Sequence, residues 1–285
     1  MSSSPKSTNS LRILADQALP KLWRKHFPKS GEATDTSKDM MLGILLGRGV
    51  SWWEIFDASD VGAERNMIVD RFVAEGSDVL DVGCGRGFFT FACSRKASRV
   101  TGLDLMDGGE RKGWWNEFAS TSNLLEVLNR VSGIRAGASS MPFNAGCFDL
   151  VASVHSIRNF GSIEEIKFFF GEARRVLKKD GHLVVVESDT EAAGFQAYKS
   201  FYSMRTRLGW ELGLPSVSEL INWLEEAGFA DVSEESLATG LRYAPVYFPF
   251  DPASMEAIRT DYDTANELLL KDGEQHPPIN VLTAC

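Results

Sequence analysis

Residues 79–89 read Val79-Leu80-Asp81-Val82-Gly83-Cys84-Gly85-Arg86-Gly87-Phe88-Phe89, and the fold follows from them. An apolar run closes on an acid, three glycines follow at alternate positions, and an apolar helix-like segment starts at once. That order predicts a strand, a tight turn and a helix start. Glycine in such a turn permits positive φ and lets a ligand approach the main chain with no Cβ in the way. N–H groups at the start of a helix, together with its dipole, favour a negative group. The turn therefore reads as the cradle of a small anionic cofactor.

Outward from the turn, strands are expected near 78–82, 99–104, 133–137, 147–154 and 182–188, with helices near 86–97, 109–130 and 162–178 between them. Repeated strand–helix–strand units imply a parallel sheet with helices on both faces and right-handed crossovers. Such sheets bind ligands at the carboxyl ends of their strands, where the strand order reverses. Downstream, the aromatic-rich stretch Thr190 to Gly213 predicts a helical insertion covering the pocket. Ser216 as a cap, Glu219 three residues on and Gly228 as a stop predict a helix within 215–228. Runs at 230–237 and 241–250 are expected to add an antiparallel end to the sheet, followed by a helix over 252–270 and a frayed tail after Pro277-Pro278. Upstream, Leu11 to Phe27 has partly helical spacing, Pro28 to Asp39 is loop-like, Ser51 caps a short aromatic segment, and Glu64 to Ala74 leads as a helix into the first strand.

The expected organisation is a disordered tail over 1–10, a helical cap over 11–63, a cofactor-binding domain over 64–250 with an insertion at 190–213, and a C-terminal helix and tail over 251–285. The fold class is α/β: a Rossmann-like, doubly wound, seven-stranded sheet, mostly parallel with an antiparallel terminal strand. N-terminal and inserted helices would serve as a lid.

Composition narrows the partners. The 285 residues are 44% hydrophobic and 24% charged, enough for one large domain with a full core. A net charge of -9 argues against nucleic acid or an anionic membrane as partner, since a phosphate-binding surface needs clustered Lys and Arg, and it favours a small-molecule substrate. Cys84, Cys93, Cys147 and Cys285 are widely separated and have no metal-ligand spacing, so they read as reduced thiols with no metal. The Ser/Thr-rich start lacks a signal-peptide core and no apolar run reaches the ~20 residues of a membrane span, so the expected location is cytoplasmic. The oligomeric state is not legible.

Dinucleotide folds use G-x-G-x-x-G, whereas this turn is G-x-G-x-G with Asp81 two residues before its first glycine. The next strand ends in Asp104, 17 residues after Gly87, where a carboxylate accepts both hydroxyls of a ribose. That acid alone fits NAD and S-adenosylmethionine equally. Further blocks are Met141-Pro142-Phe143 followed by Phe148-Asp149-Leu150-Val151, and Ala173-Arg174-Arg175-Val176-Leu177-Lys178-Lys179-Asp180-Gly181. With the glycine turn and Asp104, these blocks resemble the class I S-adenosylmethionine-dependent methyltransferases over about residues 64 to 190. The short block Ile157-Arg158-Asn159-Phe160 is further similar to the G-L-R-N segment of the ubiquinone and menaquinone biosynthesis methyltransferases.

The resemblance implies S-adenosylmethionine as cofactor. Asp81 and the main chain of Gly83, Cys84 and Gly85 would hold its methionine end, Asp104 its ribose hydroxyls and Leu105 its adenine, with Ser153 also in the cofactor set. The chain departs from the family at Gly137, which stands where an acid often accepts the adenine amino group. That contact would fall to the main chain of Ala138 or Ser139, or to the Ser139 hydroxyl.

Methyl transfer from a sulfonium is an in-line displacement on an activated carbon, so alignment and exclusion of water do most of the work. Where the acceptor is a hydroxyl or an acidic carbon, a base near neutral pH helps. His155, just past the fourth strand, is the candidate base, and Arg158 the candidate for orienting an anionic acceptor; packing and salt-bridge roles fit the same residues. Cys84 reads as a small spacer in the turn. Aromatics of 40–56, 195–210 and 243–250 fit either an apolar lid or core. The expected function is methyl transfer to a small organic molecule, O-methylation ahead of N- or C-methylation. The alternative is a cofactor-binding protein of the same fold without methyl transfer, as a lyase, a cyclase or a regulatory subunit. The glycine spacing disfavours a nicotinamide oxidoreductase.

Overall fold

The acid-terminated apolar runs on either side of the glycine turn lie side by side in one sheet. The structure, a computed structural model, describes residues 18–28, 38–105, 113–189, 192, 196–207, 209, 212–239 and 278–285. The expected tail at 1–10, strand at 241–250 and helix at 252–270 lie outside the described residues. The chain divides into two compact units, residues 1–65 with 240–276 and residues 66–239 with 277–285.

The second unit carries the sheet: β1 Asp78–Val82, β2 Arg99–Asp104, β3 Val131–Arg135, β4 Phe148–Val154, β5 Leu177–Ser188, β6 Ser233–Leu237 and β7 Ile279–Ala284. Their order is β3-β2-β1-β4-β5-β7-β6. β1 to β5 run parallel, and β7 is antiparallel to both β5 and β6. All five parallel strands therefore end on one edge, and the order reverses where β1 meets β4. A doubly wound sheet binds its ligand at that crevice.

Side-chain alternation sorts the two faces. Leu80 and Val82 of β1 join the core built by Ile166, Phe169, Phe170, Ala173 and Val176 of helix Ile163–Val176. Those five positions recur at helical spacing and form one apolar stripe. Asp81, one residue out of phase, faces the opposite side, where Thr90 of helix Phe88–Cys93 meets it. Helix Ile163–Val176 starts where the Ser162 hydroxyl accepts from Glu165 N, and acids in its first turn and Arg174 and Arg175 in its last suit its dipole. The expected Ser216/Glu219 capping box is present at helix Val217–Glu226, whose Leu220 and Leu224 enter the same core.

Three expectations about strands are corrected. β3 starts and ends two residues early, because its ladder with β2 runs from Val131 to Arg135 and leaves Ala136 and Gly137 in the following turn. β5 starts at Leu177, since Leu177 already pairs with Phe148, and the register shifts before Leu150 pairs with His182. Residues 279–284, read as part of a frayed tail, form the antiparallel strand. Proline at a strand entrance removes no ladder hydrogen bond, and Ile279, Val281, Leu282 and Ala284 are buried between β5 and β6.

The first unit is helical where described, with residues 18–26, Lys38–Gly47 and Trp52–Ala58. Ser51 and Glu54 form a capping box at the last of these. Leu19, Leu45 and Ile55 are fully buried. Among the described residues no helix is long and apolar enough to cross a membrane.

The amino ends of the strands carry a charge ladder. Asp78 of β1 accepts from Arg99 Nε (2.8 Å) and Nη2 (2.9 Å) of β2 and from Lys178 Nζ (3.1 Å) of β5, while Lys178 also donates to Asp149 of β4 at 2.8 Å. The Arg99 hydrogen bonds, aided by Lys178 and opposed by burial, hold the Asp78 carboxyl well below its usual range. A depressed folded-state pKa contributes stability that is complete above the unfolded value of about 4 and is lost as the pH falls below it. Asp78→Asn should therefore lower stability by about 1–2 kcal/mol at pH 7. Urea titrations at stepwise lower pH should show that gap closing below about pH 4; a gap independent of pH would remove the electrostatic account.

Candidate functional site

The glycine turn is tied to the end of β2 by its own backbone. Gly83 N and Cys84 N donate to Leu103 O at 2.8 and 3.1 Å, Gly87 N donates to Cys84 O, and Gly85 N donates to Asp104 Oδ2 at 2.9 Å. These donors are spent inside the protein. What the turn offers a ligand is main-chain approach at Gly85, where an added Cβ meets only the Trp114 ring, at 3.3 Å. Trp114 opens helix Trp114–Leu124, and Arg86 Cζ lies 5.2 Å from its ring centroid. Sequence reasoning passed over Trp114, which lies 29 residues from Gly85 in the chain.

Asp81 is 2% exposed and accepts from the Thr90 hydroxyl at 2.6 Å, which places it beneath the turn. The Cys84 thiol is pushed well above its ordinary range, first by burial and then by the Asp81 and Asp104 carboxylates. It stays protonated, and its Sγ fills the space beside Gly102, where a built Cβ would lie 2.9 Å away. Asp104 ends β2, and Leu105 follows it, 49% exposed. Ala138 and Ser139 are half-buried in the turn after β3. A Cβ built on Gly137 finds only Ser139 Oγ, at 3.9 Å, so room exists there for a ligand. An approachable main chain, a carboxylate locked beside it and open space at Gly137 fit an adenosyl group.

The end of β4 joins this turn. Ser153 Oγ lies 2.6 Å from Ser156 Oγ, which donates to Val82 O at 2.8 Å, so Ser153, fully buried, buttresses Ser156 under the turn. His155 holds a left-handed φ of 52°, with its N–H donating to Val186 O. Arg158, on the short helical turn Ile157–Asn159, is buried and donates through Nε (2.8 Å) and Nη2 to Glu187 Oε2, while Ile157 N donates to Glu187 Oε1 at 3.1 Å. Arg158 Nη2 is 3.3 Å and Ser188 Oγ 3.5 Å from His155 Nδ1. The Arg158 charge is thus met by Glu187 within the protein. The inserted helix Gln196–Arg207 docks here as well: Arg158 Cζ is 5.6 Å from the Tyr202 ring, and Tyr202 bridges Leu212 O and Leu214 N.

The structure therefore brings together Asp81, Gly83, Cys84, Gly85 and Asp104 at β1 and β2, and His155, Arg158, Glu187 and Ser188 at β4 and β5, with Ser156 between them. Ser156 and Glu187 were not foreseen, although Glu187 closes an apolar strand as Asp81 and Asp104 do. Among the described residues no cluster of three or more His, Cys, Asp or Glu side chains is placed to hold a metal.

Comparison with known proteins agrees with this geometry. Residues 80–185 match the model of a methyltransferase domain. The chain is 27% identical over 177 residues to a demethylmenaquinone methyltransferase of Staphylococcus haemolyticus, a match covering 58% of this chain and 66%, just short of two thirds, of that protein. Among solved structures, a geranyl diphosphate methyltransferase in complex with S-adenosylmethionine has the same fold, with a TM-score of 0.55 at 18% identity over 89% of this chain and 92% of the other. So does the [4+2]-cyclase SpnF, at 0.55 and 20% over 79% and 82%. With the glycine turn, Asp104 and the strand order in place, residues 80–185 are a methyltransferase domain of the class I, S-adenosylmethionine-dependent type.

Proposed function

We propose that this protein methylates a small organic acceptor carrying an acidic hydroxyl, bound over the carboxyl ends of β4 and β5 beside His155, with O-methylation ahead of N- or C-methylation. The observation that carries this reading is the union of two halves through Ser156: a turn and acid suited to an adenosyl group, and a polar cluster on the neighbouring strands suited to an acceptor. S-adenosylmethionine bound at the turn supplies a methyl carbon already activated by a positive sulfur. The protein's own part is to hold the acceptor in line and dry, and His155 is the group that meets its hydroxyl. The inserted helix, docked through Tyr202, acts as cover. The net charge of -9 supports a small molecule over nucleic acid as substrate. A bacterial relative named for demethylmenaquinone makes hydroxylated aromatic rings the acceptors to try first.

Labelled S-adenosylmethionine incubated with fractionated metabolites and with such hydroxyarenes should yield a labelled product. Tight cofactor binding with no labelled product in any fraction would favour the alternative, a protein of this fold that does not transfer methyl. Open space at Gly137 in place of an acid is the feature that supports that second reading. His155→Ala should leave the affinity for S-adenosylhomocysteine within about twofold, yet slow turnover about tenfold or more. An unchanged rate would remove His155 from the acceptor site.

A further inference from the structure

We propose that Glu187 and Arg158 are positioning residues that fix His155 as its Nε2–H tautomer, so that the site offers the acceptor a hydrogen-bond donor and takes a phenol or enol as its anion. This rests on the proposed reading of the site as the place where the acceptor binds. A guanidinium only donates. Arg158 Nη2 gives one hydrogen to Glu187 and has its second within reach of both His155 Nδ1, at 3.3 Å, and Ser188 Oγ, at 3.4 Å; with that hydrogen on Nδ1, the ring hydrogen of the neutral imidazole resides on Nε2. The guanidinium cannot turn away, because Glu187 Oε2 takes both its Nε and its Nη2 hydrogens and Glu187 Oε1 is held by Ile157 N.

Arg158 and Glu187 are the charged groups that face the ring, and Ser188 Oγ is the neutral one. The Glu187 carboxylate stands 3.9 Å from Nδ1, outside hydrogen-bond range, while the cation stands nearer. A hydrogen on Nδ1 would point at the Arg158 guanidinium, which has only hydrogens to offer it. The left-handed backbone of His155, anchored through Val186 O, sets the ring's direction. Such strain in a non-glycine residue persists where the surroundings over-determine it.

A group with Nδ1 occupied and Nε2 protonated does not take the acceptor's proton. It stabilises an oxygen anion that the acceptor has already formed. The acceptor's anion then forms the bond to the methyl carbon, the carbon–sulfur pair remains on sulfur, and anion plus sulfonium become two neutral products. The acceptor class that follows is a hydroxyarene or enol acidic enough to ionise near neutral pH, rather than an alkyl alcohol or an amine.

The tautomer is measured directly by long-range proton–nitrogen correlation of histidine-labelled protein at neutral pH, with His155 among four histidines assigned through His155→Gln. The expected pattern is a single Nε2–H tautomer. An Nδ1–H pattern, or the averaged signals of a mixed population, would overturn the proposal. Glu187→Gln, which frees the guanidinium, should convert His155 to averaged signals; an unchanged pattern would remove Glu187 as a positioning residue. Should that variant fail to fold by circular dichroism, Arg158→Lys, which keeps the charge but loses the fork, is expected to have the same effect. Turnover with substituted naphthols of graded acidity supplies the second arm: the pH midpoint should follow each naphthol's own pKa, and a midpoint common to all of them would point to a protein base. Failure of the methyltransferase reading shows separately, as no turnover with any acceptor, and leaves the tautomer measurement standing.

Discussion

Asp104→Ala is expected to weaken S-adenosylhomocysteine binding about 100-fold by calorimetry, or about 2.7 kcal/mol. In the proposed reading the carboxylate at the end of β2 has two jobs. One oxygen accepts from Gly85 N at 2.9 Å and pins the glycine turn to β2; the rest of its acceptor capacity is what a ribose diol would engage. Hydrogen bonds to a charged acceptor contribute about 1.5–3 kcal/mol each, so losing the diol contacts alone reaches the expected figure. Asp104→Asn retains an acceptor for Gly85 N and should lose less, about tenfold, which separates the pinning of the turn from recognition of the sugar. An unchanged dissociation constant in Asp104→Ala would remove the ribose assignment, whatever the effect on melting temperature.

Gly83→Ala should abolish measurable cofactor binding and destabilise the fold by about 3 kcal/mol. Gly83 has φ of +76°, a region that costs a residue with Cβ about 1–2 kcal/mol. The added Cβ would lie 2.5 Å from Ser156 Cβ and 2.6 Å from its Oγ. Ser156 cannot yield cheaply, since its hydroxyl links Ser153 to Val82 O in a fully packed spot, and overpacking there costs about 1–3 kcal/mol. The clash and the backbone strain are separable. In a Ser156→Gly background the cost of Gly83→Ala should fall by about 1 kcal/mol or more, leaving the strain behind. Equal costs in both backgrounds would place the whole effect on the backbone.

How much of this was legible in the sequence follows from how local each feature is. The strand, turn and helix at 78–93, the Ser216/Glu219 capping box and the helix near 162–178 are written within a few residues, and they came through in type and place. The seventh strand did not. The aromatic run at 241–250 has the composition of a strand, whereas Ile279–Ala284 gains its partners, β5 and β6, from residues 42 to 101 positions upstream. The site divides in the same way. Asp81, Asp104 and His155 were marked by their position at strand ends, but the meaning of His155 depends on Glu187, 32 residues away, and that of Gly83 on Ser156, 73 residues away. Residue type proposed a base at 155; the proposed tautomer rests on Arg158, which Glu187 of β5 holds against the ring.

The ladder of Asp78, Arg99, Asp149 and Lys178 sits at the opposite ends of the strands from every group assigned to binding. β1, five residues long, keeps the two apart by roughly 13–16 Å at ~3.3 Å per residue. Substitutions that far apart combine independently. The protein can therefore drift in one property while selection holds the other: a lineage that remodels its acceptor pocket, with the strained positions new chemistry demands, can recover lost robustness at the far edge without disturbing the catalytic side. A double variant, Asp78→Asn with Asp104→Ala, should lose stability and affinity by the sums of the single losses.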